Sequence, residues 1–282
     1  MKHFQIITNE TKDPQLTLTG DIRQYIEKCG GKCSVFVCDP TKNIPQTIQV
    51  PADAACVLVL GGDGTLLKAA RDTAGTDIPV LGINLGTLGF LAEVEKNHYE
   101  EARDRIFAGE YQTEKRMMLS GNVLRQGKEA FVAKALNDIT ITRCGSLQII
   151  RFSVYVNHQF LCKMSADGMI MATPTGSTGY NMSAGGPVIE PGAKMIVLTP
   201  ICAHTLSARS IILRAEDEIE IEIDRGRDGT QLTVEASFDG NEKVPMVTGD
   251  RIIIRKSDET TAFMKLNELS FVEALHRKMS EE

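Results

Sequence analysis

The sequence predicts an α/β domain followed by a β-rich domain, with a final helix returning to the first. Three observations carry this. The first third alternates continuous apolar runs with helical patterns; from about Lys115 the apolar period becomes two; and the last stretch, NELSFVEALHRKMSEE, returns to helical spacing through Leu269, Val272 and Leu275. At 282 residues the chain is long enough for two modest domains, each burying its own core.

In chain order, HFQIIT (3–8) reads as a strand, and a helical pattern through Ile22, Tyr25 and Ile26 is stopped by Gly30 and Gly31. CSVFVC (33–38) and ACVLVL (55–60) follow as strands; the second is an unbroken, β-branched run of the kind a parallel strand shows when both faces are covered. TLLKAARDTAG (65–75) reads as a helix with Thr65 as N-cap and Gly75 as its stop, IPVLGIN (78–84) as the next parallel strand, and His98 to Phe107 as a further helix. In the second half, FVAKALNDITITR, SLQIIRFSVYVN, EDEIEIEID, QLTVEASFDG and DRIIIRKS favour strands separated by turns. Domain limits of 1–115 with about 256–282, and 116–255, follow from these changes of period.

Composition excludes several classes. With 31 Lys+Arg against 37 Asp+Glu the formal charge is -6, the wrong sign for holding nucleic acid or anionic lipid over a broad face. The N-terminus lacks the apolar core of a secretory signal and no 18-residue apolar stretch occurs, so a cytoplasmic location without membrane partners is expected. The 7 cysteines, at 29, 33, 38, 56, 144, 162 and 202, form no CxxC pair and read as reduced thiols, with no metal site among them.

The chemistry concentrates in glycine loops. In LVLGGDGTLLKAA, Gly61, Gly62 and Gly64 surround Asp63 where a strand gives way to a helix, leaving room for a ligand to touch main-chain N–H groups at the helix N-terminus. Glycine there also allows positive-φ backbone. Neither a Walker A loop nor a GxGxxG fingerprint fits, since Leu67-Lys68-Ala69 stands where those motifs need other residues. A carboxylate at the mouth of a phosphate cradle would repel the phosphate, so Asp63 points to a hydroxyl to be deprotonated or to a magnesium ion carried by a nucleotide. Gly82, Gly86 and Gly89 in GINLGTLGFLAEV flank the next strand end, where loops of neighbouring parallel strands share a crevice. In SADGMIMATPTGSTGYNMSAGGPVIEP, Thr173, Thr175, Ser177 and Thr178 interleave with Pro174, Gly176 and Gly179 and end in Tyr180; hydroxyls suit phosphate and ribose oxygens, and the ring suits a base. His204, a lone histidine between apolar strands, reads as a hydrogen-bonded structural residue, and EDEIEIEID as a solvated strand face.

GGDGT (61–65), LGTLGF (85–90), ALNDITITR (135–143), ADGMIMATPTGSTGY (166–180), SAGGPVIEP (183–191), LTPICAHTLSARSIIL (198–213) and SFDGN (237–241) together resemble the NAD kinase family, in order over nearly the whole chain. The resemblance implies a Rossmann-like α/β N-terminal domain and transfer of a phosphoryl group from ATP or polyphosphate to the 2′-hydroxyl of the adenosine ribose of NAD, giving NADP. It implies Mg2+ carried with the donor, and a homodimer or homotetramer. Asp63 matches the family's general base, and Gly61, Gly62, Gly64 and Thr65 its donor loop. Phe90, Asn137, Asp138, Asp167, Thr175, Thr178, Gly179, Tyr180, Ser183 and Asp239 match acceptor-binding positions. Gly179, Ala203 and Ser210 depart from the usual pattern, standing where alanine and two prolines are common. GGDGT alone also fits lipid and sugar kinases, and a dinucleotide sensor would keep the acceptor motifs without turnover.

Overall fold

A computed structural model describes residues 2–39, 48–86, 89–145, 149–204, 208–266 and 271–280. The expected helical position Leu269, together with Thr87, Leu88 and residues 146–148 and 205–207 of the quoted motifs, lies outside them. The chain divides into two compact units, Met1–Arg116 with Thr260–Glu282, and Met117–Glu259.

The strands, in chain order, are β1 (His3–Asn9), β2 (Lys32–Cys38), β3 (Ala54–Gly61), β4 (Val80–Asn84), β5 (Val94–Glu95), β6 (Gln112–Arg125), β7 (Lys128–Ala135), β8 (Asp138–Arg143), β9 (Ile150–Val156), β10 (Gln159–Ala166), β11 (Gly168–Ala172), β12 (Met195–Ile201), β13 (Ile211–Arg214), β14 (Ile219–Ile223), β15 (Thr233–Phe238), β16 (Glu242–Val247) and β17 (Arg251–Lys265). The α-helices are α1 (Thr17–Lys28), α2 (Asp63–Asp72), α3 (Tyr99–Ala108), α4 (Tyr180–Ser183) and α5 (Phe271–Ser280).

In the first unit β4, β3, β1 and β2 lie side by side, all parallel. β1 and β3 are buried on both faces, as their continuous apolar sequence requires. α1 buries Leu18, Ile22 and Ile26 against them, and Asp13 anchors its start by accepting the N–H groups of Leu18 (3.1 Å) and Thr19 (2.9 Å). Gly30 then turns the chain at φ +77°. Thr65 is not the N-cap of the next helix: α2 begins at Asp63 with Gly62 as cap, so Thr65 is its third residue. α5 belongs to this unit, where Lys278 Nζ lies 3.9 Å from the centre of the Phe90 ring.

In the second unit, β13-β12-β11-β8-β15-β16 form one antiparallel sheet, and β10, β9, β14 and the first half of β17 pair antiparallel in another. Phe152, Ile139, Phe238, Ile221 and Ile254 from the two sheets join in one fully buried cluster. β14 alternates as read, isoleucines in and glutamates out, but its acids are not bare. Glu220 and Glu222 pair with Arg251 across the ladder at 2.9 and 3.0 Å. β6, β10 and β16 were not legible in the apolar period, whereas β12 and β13 are the apolar strands on either side of His204. β6 opens on QTEKR, and β10 carries a register shift between Phe160 and Cys162 that breaks its alternation.

All seven cysteines are free thiols. Burial pushes Cys33 up to about 11 and Cys56 up to about 12, which keeps both protonated at neutral pH.

Candidate functional site

The site residues fall into two clusters, one in each unit. In the first, the carboxyl ends of β1, β3 and β4 come together because the strands are parallel and in register. Asp63 stands at the first position of α2. Its Oδ2 accepts the backbone N–H of Phe90 at 3.0 Å, while Oδ1 is buried with no hydrogen-bond partner. Leaving a buried carboxylate oxygen unpaired is costly, so this one is reserved for a proton donor or a cation that binds there.

Of the two freedoms that glycine allows here, the structure uses space and not positive φ: none of Gly61, Gly62 and Gly64 has φ above zero. Gly62 and Gly64 face open space, which leaves backbone at the helix start accessible. The most demanding glycine is Gly89, where a Cβ would lie 1.9 Å from Asp63 Oδ1. Thr65 Oγ1 faces Asn9 Nδ2 at 3.4 Å, and Lys12 Nζ lies 3.2 Å from the Cβ position of Gly86, bringing to this end of the sheet a cation that sequence reasoning did not single out. Phe90 supplies its backbone to Asp63, and its ring faces Lys278 beside a pocket of about 130 Å³ lined also by Glu93, Arg116 and Arg277.

In the second unit, Asn137 and Asp138 form the turn into β8, against the loop after β11. Asp138 is only 7% exposed, and burial first, then the charge of Asp239, push it up to about 7. Asn137 Oδ1 is buried and unpaired. Gly176 packs so closely that a Cβ would lie 2.0 Å from the Asn137 carbonyl oxygen, and a Cβ at Gly179 would lie 3.5 Å from Asn137 Nδ2. Thus the TPTGSTGY loop lies directly on the Asn-Asp turn.

Two hydroxyls of that loop hold it together rather than facing a ligand. Thr173 donates to the Leu136 carbonyl at 2.6 Å, and Ser177 donates to Pro174 O at 2.6 Å and accepts from the Ile189 N–H at 2.9 Å. Thr178 is half-buried, donating to Thr175 O at 3.3 Å; Thr175 is buried, Ser183 is exposed, and Tyr180 is 45% exposed with its ring available. The departure at position 210 is absorbed: Thr199 Oγ1 lies 2.9 Å from Ser210 Oγ and 2.7 Å from Asn181 Oδ1.

Asp239 and Asp167 are both held by partners within the chain. Asp239 turns both carboxylate oxygens onto backbone N–H groups of the Asn-Asp turn. Asp167 precedes β11 and so lies at the opposite end of that strand from Thr175, roughly 16 Å away at the usual rise per residue. There its Oδ1 meets Arg143 Nη1 at 3.2 Å and His204 Nε2 at 3.6 Å, giving both of those residues a structural partner.

Residues 5–111 match the family described as ATP-NAD kinase N-terminal domain and residues 136–266 the ATP-NAD kinase C-terminal domain. The chain is 45% identical to the NAD kinase of Agathobacter rectalis over 99% of each chain, and 41% identical to that of Lachnoclostridium phytofermentans over 100% of each. In fold it resembles the yeast NADH kinase solved with NADH, with a TM-score of 0.83 at 24% identity over 99% of this chain and 88% of that one. It also resembles an NAD kinase from Archaeoglobus fulgidus solved with ATP, with a TM-score of 0.76 at 23% identity over 99% and 98%. Family domains spanning both units and full-length relatives at this identity place the chain in the NAD kinase family of phosphotransferases.

Proposed function

We propose that Asp63 is the general base that takes the proton from the 2′-hydroxyl of the adenosine ribose of NAD as a phosphoryl group is transferred to it. The observation that carries this is the divided Asp63 carboxylate: Oδ2 is fixed by the Phe90 N–H and Oδ1 is buried and unpaired. Phosphoryl transfer is governed by alignment and charge neutralisation, so an aspartate held in one orientation suffices as base. Gly61, Gly62, Gly64 and Thr65 at the start of α2 receive the donor phosphates, aided by Lys12 at the same end of the sheet. In the second unit, Asn137 and Asp138 hold the ribose and amide edges of the acceptor, with Thr175, Thr178, Gly179 and Ser183 lining the loop and Tyr180 offering its exposed ring to a base. Asp167 is kept as an acceptor contact on the strength of the resemblance alone; it stands before β11, at the end of that strand away from Thr175, with Arg143 and His204 beside it.

Mg2+ accompanies the donor in this reading. Oδ1 of Asp63, buried and unpaired, is a hard oxygen that would suit such an ion where it does not face the hydroxyl. When bound, the ion neutralises charge on the transferring phosphoryl group. The donor is ATP or polyphosphate, and the assembly a homodimer or homotetramer, as in the family that the motifs resemble. The cytoplasmic location expected from the sequence belongs to the same reading; separately, among the described residues no helix is long and apolar enough to cross a membrane.

The test is a coupled assay: NAD, Mg2+ and either ATP or polyphosphate, with product read by an NADP-specific dehydrogenase. Product that supports the dehydrogenase establishes phosphorylation at the 2′ position and identifies the donor. A phosphorylated dinucleotide that the dehydrogenase rejects would place the phosphoryl group elsewhere.

A further inference from the structure

We infer that Asp239 is a positioning residue whose carboxylate sets the Asn137–Asp138 turn, not a contact of the acceptor. This rests on the reading that Asn137 and Asp138 hold the dinucleotide. Asp239 Oδ2 accepts the Leu136 N–H at 2.8 Å, and Oδ1 accepts those of Asn137 at 2.8 Å and Asp138 at 3.1 Å. The Asp239 N–H returns a bond to the Asp138 carbonyl at 3.0 Å. One carboxylate thus takes up three consecutive N–H groups of a turn that no strand ladder satisfies.

Two further features show that this contact is built rather than incidental. Asp239 has φ +49°, a left-handed backbone unusual for a residue with a side chain, and it follows directly on Phe238, a fully buried ring at the end of β15. A second acid beside Asp138 is also unfavourable, since it adds to the burial that pushes Asp138 up to about 7. The opposite side of the turn is held by Thr173, whose N–H donates to Asn137 O at 2.8 Å and whose hydroxyl donates to Leu136 O at 2.6 Å. With N–H groups fixed by Asp239 and carbonyls by Thr173, the Asn137 carboxamide oxygen remains buried and unpaired for a ligand. Preorganising such a group lowers the ordering that binding requires.

The experiment compares wild type, Asp239→Asn, Asp239→Gly, Asn137→Ala and the Asn137→Ala/Asp239→Asn double variant. Asparagine and glycine both tolerate the left-handed backbone, so either keeps the fold testable. Amide hydrogen exchange reads the turn, and KM for NAD against kcat reads its use. Expected for Asp239→Asn are exchange at residues 136–138 about tenfold faster with the rest of β8, from Ile139 on, and β15 unchanged, KM up about tenfold, kcat within about threefold, and little further loss in the double variant. An unchanged KM in both Asp239 variants, while Asn137→Ala raises it, overturns the inference and leaves the acceptor reading intact. Full additivity of the two substitutions overturns it in favour of direct contact by Asp239. An unchanged KM in Asn137→Ala overturns the acceptor reading and the inference with it. Loss of cooperative unfolding in both Asp239 variants assigns the residue to folding and overturns it as well.

Discussion

Phe90 and Asp63 meet through the backbone: the Phe90 N–H donates to Asp63 Oδ2 at 3.0 Å, and the other oxygen of that carboxylate is left buried and unpaired. A loop from the end of β4 therefore aims a side chain at the start of α2. The loop approaches this closely only because residue 89 has no side chain, since a Cβ there would lie 1.9 Å from Asp63 Oδ1.

Gly89→Ala should therefore turn or displace the Asp63 carboxylate. Misplacing a catalytic group by about 1 Å can cost on the order of a hundredfold in rate. The expected outcome is kcat reduced roughly ten- to a hundredfold, with melting temperature little changed because the contact is to a side chain. A variant with full kcat would show that the orientation of Asp63 is not critical.

Gly176→Ala should act on the acceptor side. Its Cβ would meet backbone, 2.0 Å from Asn137 O and 2.4 Å from the carbonyl carbon, which cannot swing aside. Overpacking of this kind costs about 1–3 kcal/mol. Chemical denaturation should register that loss, and KM for NAD should rise as the Asn-Asp turn is pushed away. A stable variant with unchanged KM would separate Gly176 from the acceptor.

Asp138 predicts a pH dependence of stability. Burial, then the neighbouring Asp239, raise it from 3.8 to about 7, so the folded chain holds a proton there that the unfolded chain releases near pH 4. The folded state binds the extra proton between those values, and this contribution to stability declines as pH rises from about 4 to about 7. Asp138→Asn keeps the shape and removes the titration, so it should unfold at a higher temperature than wild type at pH 8, with the advantage shrinking toward pH 5. Parallel melting curves across that range would contradict the assignment.

Much of the fold was legible because burial leaves a period. β3 reads as a covered parallel strand since ACVLVL has no polar face, and β14 as a half-buried one since isoleucine and glutamate alternate. The strands that were missed begin in charged residues or carry a bulge, as β6 and β10 do. Within the site, Asp63 stood out because a carboxylate in a glycine cradle is chemically odd. What could not be read were relations across long sequence separations. Thr173 and Ser177 look like ligand hydroxyls until their carbonyl partners are seen, and nothing in SFDGN shows that Asp239 accepts three amides about a hundred residues earlier. The helix cap was misplaced by three residues, Thr65 for Gly62, because Gly62 caps α2 without a side chain, leaving no Ser or Thr signal at the true boundary.

The central claim, that Asp63 acts on the reacting hydroxyl, is tested most directly by NADP formation in Asp63→Asn beside calorimetric binding of NAD. Turnover should fall about 10²–10⁴-fold with NAD affinity nearly unchanged, because a general base acts on the transition state and contributes little to the ground state. Turnover within a few-fold of wild type, or a loss of NAD affinity matching the loss of rate, would contradict it and make Asp63 an anchor rather than a base.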